Sequence, residues 1–289
     1  MRSSRSLALT EGVLTTVIWA SSFVFIKMGL AYLKPITLAG MRYFTAFLLL
    51  LPIMAYRGDL KRPLARDQWI ILFVMGLCAY TIGNGALFWG LRYLPAVTGS
   101  FLFSLLPLPV VLLGIVWLKE KPNPWQVAGF LVALAGSGVF FYRGLSAREP
   151  LAVGVVSMGV LAFSFYGVFS RRLARQGDVS ITQMTAIPLG FGGGILLLIG
   201  LLGEGAFTLS LPGIAVVLWL AVVNTVVAYL LFYRSLRVLA AFELHVILNL
   251  SPIGTFGLAA LMLGERLTTI QIGGMITVMA GVSLVQWRR

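Results

Sequence analysis

The residues able to do chemistry are few and far apart. One histidine, His245, cannot complete a three-ligand metal set, and no H-E-x-x-H pair occurs. One cysteine, Cys78, lies in an apolar run and can close no disulfide within the chain; a small buried hydrophobe is its expected role. No G-x-x-x-x-G-K-[ST] loop is present to cradle a nucleotide phosphate. No catalytic constellation emerges, so the expectation is a protein that is not an enzyme and needs no cofactor or metal. What remains is binding chemistry. Polar and aromatic side chains interrupt long apolar runs in pairs: Trp19 and Ser22, Tyr80 and Asn84, Phe101 and Ser104, Ser164 and Tyr166, Asn224 and Tyr229, His245 and Asn249. Polar groups facing lipid are costly, so such residues are expected to face protein or a watery cavity. Aromatic faces suit aromatic or aliphatic amino acids and flat organic cations. Each also has a plainer role, since Ser, Thr and Asn join membrane helices or bond a backbone carbonyl. His245 adds a proton-sensing option. Arg42, the one base well inside a run, is expected to pair with a carbonyl or an acid from another helix, with a clamp on a substrate carboxylate as the sharper alternative.

The elements that must position these groups are membrane helices. Hydrophobic residues make up 59% of the 289 and charged residues 11%, against about a quarter charged in soluble domains. A span needs ~20 mostly apolar residues. Ten runs qualify, at approximately 9–30, 36–56, 68–90, 95–117, 124–142, 151–171, 181–202, 212–234, 240–262 and 269–287. The first run reads as a retained helix, not as a cleaved signal. The net charge of +13 would suggest nucleic acid in a soluble protein. Here the bases sit between the runs, so they read as membrane-surface anchors and no nucleic acid is expected. With the N-terminus inside, fifteen Lys and Arg fall on the cytoplasmic side and six on the other. The positive-inside rule then places both termini in the cytoplasm, and the alternation supports an even number of spans.

The chain also repeats itself. Sliding residues 88–142 forward by 145 positions, without a gap, superposes Arg92 on Arg237, Pro107 on Pro252, Glu120 on Glu265, Gln126 on Gln271, Gly129 on Gly274 and Gly136 on Gly281. The expected architecture is an all-α membrane protein of ten transmembrane helices in two inverted five-helix repeats, 1–145 and 146–289. An odd number of spans per repeat inverts the second, the plan of many secondary transporters with a site near the midplane. Spans 1, 3, 4, 6, 8 and 9 would then carry the polar groups around a cavity, and the Gly-rich spans 5 and 10 would pack at the periphery. Pro107 and Pro252, mid-span at matched positions, are expected to kink their helices as paired hinges. Glu120 and Glu265 are expected to cap the helices that follow them. Glu11, two residues into span 1, is expected to be interfacial.

Certain segments resemble a known group. These are the corners Leu118-Lys119-Glu120-Lys121 and Leu263-Gly264-Glu265-Arg266-Leu267-Thr268, followed by Gln126-Val127-Ala128-Gly129 and Gln271-Ile272-Gly273-Gly274, and the opening Trp19-Ala20-Ser21-Ser22-Phe23. Together they resemble the drug/metabolite transporter superfamily of EamA-type bacterial exporters. The first corner departs from the pattern, with Lys119 in place of Gly and with Pro122. The resemblance implies export of small metabolites, most often amino acids, across the bacterial inner membrane. The aromatic density is most similar to that of aromatic-amino-acid exporters. The partners expected are then a small-molecule substrate, amino acids or related metabolites, and the lipid bilayer, with a monomer as the working unit. A channel or facilitator without a coupled ion is the alternative, and an intramembrane enzyme the third.

Overall fold

The computed structural model describes residues 5–118, 122–142, 149–176, 178–208, 210–239 and 241–287. Its regular elements are all helical, with no strand among the described residues. We number ten helices: α1 Arg5–Gly29, α2 Pro35–Tyr56, α3 Arg66–Gly90, α4 in two pieces (Ala96–Ser104 and Pro107–Leu118) and α5 Pro124–Phe140. The second half holds α6 Glu149–Gln176, α7 Ile181–Gly203, α8 Leu211–Leu236, α9 in two pieces (Ala241–Leu248 and Ser251–Leu263) and α10 Thr269–Gln286. Among the described residues, nine stretches are long and apolar enough to cross a bilayer. The exception, α5, has 17 residues, at the lower end of the span range of about 17–25.

The described chain gathers into two compact units, and each draws on both sequence repeats. One unit comprises Met1–Val24, Tyr93–Val153 and Val227–Arg289; the other comprises Phe25–Arg92 and Gly154–Val226. In the first unit, α5 and α10 meet through glycines. A Cβ on Gly281 would lie 2.5 Å from the Ala133 nitrogen and 2.7 Å from the Gly129 oxygen, and one on Gly136 would lie 2.7 Å from the Val278 nitrogen. Without side chains at these points the two backbones touch, as small residues permit in membrane helices. Gly129 faces Gly281 while Gly136 approaches Gly274, so the helices run antiparallel. These are the residues that the 145-position shift superposes.

The second unit repeats the device. On α7, Gly193 lies against the Phe44 backbone and Gly200 against that of Thr37, each with a would-be Cβ 2.7 Å from a main-chain nitrogen, so α2 and α7 are antiparallel as well. Equivalent helices of the two repeats thus pair head to tail in both units.

Spans 4 and 9 are interrupted just before their prolines. Pro107 has no N–H for the Phe103 carbonyl. The chain tightens instead: Leu105 N–H bonds the Leu102 carbonyl at 3.2 Å and Leu106 N–H that of Phe103 at 3.1 Å, and the helix restarts at Pro107. The matched break in α9 falls at Asn249 and Leu250, where Leu250 N–H bonds the Ile247 carbonyl at 3.1 Å.

Spans 3 and 8 carry a second matched irregularity. Each widens into a π-helical stretch, Leu77–Asn84 and Val222–Val227, and these start 145 positions apart. Wide turns of this kind are rare and gather at functional sites. A polar side chain bonds the carbonyl five residues back in each: Asn84 Nδ2 to Ala79 and Thr225 Oγ1 to Leu220, both at 2.9 Å.

The helix N-termini correct one expectation. Glu265 does not cap the helix after it. Thr268 and Gln271 form a closed box there, and Asn123 and Gln126 do the same for α5. Glu265 instead receives the Ala96 N–H at 2.7 Å and the Val97 N–H at 3.2 Å, capping α4. The reason is local: Pro95 at the start of α4 has no side-chain acceptor. Lys34 before α2 has none either, and there Glu204 receives the N–H groups of Ile36 and Thr37 at 3.0 and 2.8 Å. Glu120 lies outside the described residues. Losing a cap costs ~1 kcal/mol, within a range of about 0.5–2. Glu265→Ala is expected to lower the melting temperature by a few degrees in a thermal-shift measurement, and Glu265→Gln, which keeps one acceptor oxygen, by less.

Candidate functional site

Each unit contains an aromatic cluster with polar groups at its edge, and the twelve residues singled out from the sequence divide between the two units. In the first unit, Trp19 of α1 meets Tyr229 edge-on at 5.8 Å and Phe232 at 5.6 Å, both on α8. Tyr233 stacks on Tyr229, and Phe232 meets the His245 ring of α9 edge-on at 6.3 Å. Phe232 and Tyr233 were not singled out from the sequence, although they stand three and four places after Tyr229, the spacing that shares a helix face. Asn249 sits at the α9 break and donates to the Met279 carbonyl at 2.8 Å and to Ser283 Oγ at 3.3 Å. Its buried Oδ1 has no hydrogen-bond partner among the described residues.

Other members of the first unit serve packing. Phe101 is fully buried and stacks on Phe140 of α5, centroid to centroid at 3.9 Å. Ser104 donates to the Phe101 carbonyl at 2.7 Å. Ser22 is buried.

Glu11 is packed inside the first unit. It is 4% exposed and accepts an ion pair from Arg234 at 2.8 Å, while Glu243 nearby pairs with Arg5. The other Glu11 oxygen, Oε2, has no hydrogen-bond partner among the described residues. A buried carboxylate is held by a base on another helix because an unpaired charge there would be costly. The first unit therefore holds an aromatic wall (Trp19, Tyr229, Phe232, Tyr233, His245) and an ion-paired acid within one bundle segment.

In the second unit, Tyr80 of α3 lies at the centre. It meets Tyr43 of α2 at 5.0 Å and Tyr166 of α6 at 6.1 Å, and Tyr43 in turn meets Phe88. Asn84 accepts a hydrogen bond from Tyr43 Oη at 2.6 Å, so its amide is held at both ends. Ser164 is fully buried and donates to the Leu161 carbonyl at 2.6 Å, the plainer role foreseen for serine.

Arg42 takes the partner type expected of it. Its Nη2 donates to the Asn224 carbonyl at 3.2 Å and its Nε to Thr225 Oγ1 at 3.1 Å, with the guanidinium 5.0 Å from the Tyr43 ring centroid. Two neighbouring residues of α2 therefore address the two matched π-turns, Arg42 that of α8 and Tyr43 that of α3. In unit 2 Asn224 contributes its carbonyl to this contact. Tyr43, Tyr80 and Phe88 are buried and the Asn84 amide is bonded at both ends, so this cluster is packed interior that ties the two π-turns to α2. Among the described residues no group of His, Cys, Asp and Glu could hold a metal ion.

The EamA-like transporter family matches residues 7–142 and matches again at 151–287. The chain belongs to this family. The family model matches twice in succession, in keeping with two repeats, and transport by a multi-pass membrane protein follows from membership, not catalysis. Among its relatives, an uncharacterized transporter of Archaeoglobus fulgidus is 29% identical over 94% of both chains. A probable amino-acid metabolite efflux pump of Salmonella typhimurium is 28% identical over 93% of this chain and 91% of its own. A probable terminal-alkyne amino-acid exporter of Streptantibioticus cattleyicolor is 28% identical over 98% of this chain and 94% of its own. A solved crystal structure superposes with a TM-score of 0.69 over 97% of this chain and 96% of the other, at 17% identity, a likeness of fold.

Proposed function

We propose that this EamA protein is a secondary exporter of amino acids and related amphipathic metabolites in the bacterial inner membrane, working by alternating access with both termini in the cytoplasm. The observation that carries the reading is the matched pair of helix irregularities. Breaks in α4 and α9 lie 144 positions apart and the π-turns in α3 and α8 start 145 apart, one spacing to within a residue, in two repeats, 1–145 and 146–289. Two copies of one deformable unit, inserted in opposite senses, can exchange conformations, so that a bound solute is released to either side in turn. The aromatic clusters support a cargo with an apolar side chain. The names of the Salmonella and Streptantibioticus relatives support amino acids as its class. The bias of Lys and Arg supports the orientation.

In this reading Trp19, Tyr229, His245 and Asn249 of the first unit are the side chains offered to substrate, and the buried Tyr80 and Asn84 of the second hold the π-turn of α3 in shape. Pro107 and Pro252 are the paired hinges. Competition uptake into proteoliposomes, with the twenty amino acids tested against one labelled substrate, tests the class. Aromatic and large aliphatic amino acids are expected to compete; if none of the twenty does, amino acids are the wrong cargo. Pro107→Ala together with Pro252→Ala is expected to slow turnover while substrate affinity is kept. Unchanged transport rates would end the hinge assignment.

A further inference from the structure

In the second unit, a groove of about 390 Å³ opens beside the Asp59–Lys61 turn, between the ends of α2, α3 and α7. Its size falls in the range of about 300–1,000 Å³ typical of small-ligand pockets. Its walls are apolar. Phe47 and Met54 of α2 and Ile187 of α7 form the floor, and Gly190 lets the Phe47 ring lie against α7, where a Cβ would come within 2.9 Å of it. Trp69 and Phe191, edge to face at 6.1 Å, make an outer wall. Both are exposed, and the apolar exposed face continues along α3 and α7 through Ile70, Phe73 and Leu198. In a membrane protein such a face is in contact with acyl chains.

The rim is of the opposite character. Residues 57–67 carry four bases, Arg57, Lys61, Arg62 and Arg66, against two acids, Asp59 and Asp67. Arg62 lines the groove directly, with its side chain 60% exposed. Asp59, buried, stands 3.7 Å from Arg62 Nε. Asp59 also lines the groove and pairs with Arg62 at a distance too long for a hydrogen bond, and the Arg62 side chain remains 60% exposed. Asp59 is itself fixed from behind, since its backbone carbonyl accepts Gln183 Nε2 at 2.9 Å.

We propose that this groove is a binding site for one anionic glycerophospholipid, with an acyl chain along the Phe47–Ile187 floor and the phosphate at Arg62. An apolar trough beneath a basic rim matches both parts of such a molecule. Basic pockets between helix ends hold acidic head groups in this way. A second protein copy would cover the apolar wall and leave the bases unneutralised. The leaflet follows from the orientation proposed above; the binding itself does not rest on it.

The test is native mass spectrometry of the full chain in detergent, titrated with phosphatidylglycerol and with phosphatidylethanolamine of the same acyl composition. The wild-type protein is expected to retain one phosphatidylglycerol in preference. An interfacial base is worth about 1 kcal/mol, so Arg62→Gln is expected to lower that preference about fivefold and Arg62→Lys to keep most of it. Leu64→Trp, which adds bulk at the groove wall, is expected to reduce retention of both lipids. Wild-type protein that holds the two lipids equally overturns the proposal, whatever the variants do. So does a preference untouched by Arg62→Gln, or a dimer that forms through this face without lipid and is broken by Leu64→Trp. Transport is not the readout, so a negative result leaves the exporter reading standing.

Discussion

Gly281→Leu is expected to cost the protein its folded state at ordinary growth temperature. The added Cβ meets the Ala133 nitrogen at 2.5 Å, the Gly129 oxygen at 2.7 Å and the Ala133 Cα at 2.9 Å. All three are backbone, so no side chain can turn aside to make room. Overpacking a core costs about 1–3 kcal/mol when side chains give way. Here α5 and α10 must separate along their whole seam, and the loss is expected to exceed that range. At about 2–4 °C per kcal/mol for a chain of some 150–250 residues, the melting temperature should fall by roughly 10 °C or more. Fluorescence-detected size exclusion after heating reads this directly. Gly138→Ala and Gly257→Ala are the controls, because a Cβ at either meets nothing within 4 Å. Both should elute and melt like the parent. Leucine tolerated at 281 would mean that the glycine seam does not hold these helices together.

Asn84→Leu is expected to have the second largest effect. Leucine is close to asparagine in shape but supplies neither bond. Tyr43 Oη would lose its acceptor at 2.6 Å and the Ala79 carbonyl its side-chain donor at 2.9 Å, both in a buried setting. Each buried polar group left unsatisfied costs about 1–3 kcal/mol, so a loss of roughly 2–4 kcal/mol is expected. The π-turn would also lose the side chain that bridges it. A relaxed α-helix turns about 100° per residue, so shedding the extra residue would rotate the rest of α3 and carry Phe88 away from Arg42 and Tyr43. Asn84→Leu should therefore abolish transport even in the fraction that remains folded. Asn84→Gln, with the same amide on a longer arm, should recover part of the stability and little of the activity. Normal transport by Asn84→Leu would show that the widened turn is dispensable.

How much of this was legible beforehand depends on what each feature does to composition. Helix limits were readable because the bilayer demands apolar length and the chain pays for every exit with Lys, Arg, Pro or Gly. The run expected at 36–56 is Pro35–Tyr56, and that expected at 181–202 is Ile181–Gly203. The breaks in α4 and α9 were foreshadowed by Pro107 and Pro252, since proline changes backbone bonding wherever it falls. The π-turns left no such mark. Residues 77–84 read as ordinary apolar helix, because the extra residue per turn is a matter of register and not of residue type. Partners distant in sequence were equally hidden. Glu265 lies four residues before the start of α10, so that helix looked like its target, yet it caps α4, 169 residues away. The partner of Glu11 was hidden in the same way, since only the packed structure brings Arg234 to it. Among the candidate side chains, depth in a span picked out Ser22, Asn84, Ser164, Asn224 and Asn249, which are buried, but also His245, which is exposed, and it carried no direction. Ser104 and Ser164 spend their hydroxyls on local carbonyls, whereas Tyr80 and Trp19 sit inside aromatic clusters whose other members, Tyr43, Phe88, Phe232 and Tyr233, carry no mark in sequence that separates them from packing.

The central claim is that this EamA protein carries its cargo by alternating access, and substrate counterflow in proteoliposomes tests it most directly. Vesicles loaded with unlabelled substrate, and diluted into a trace of the labelled form, should accumulate label transiently above its equilibrium level, with a rate that saturates as external substrate rises. Label that only equilibrates, at a rate linear in concentration and accompanied by single-channel currents in planar bilayers, would contradict the claim and make the protein a pore.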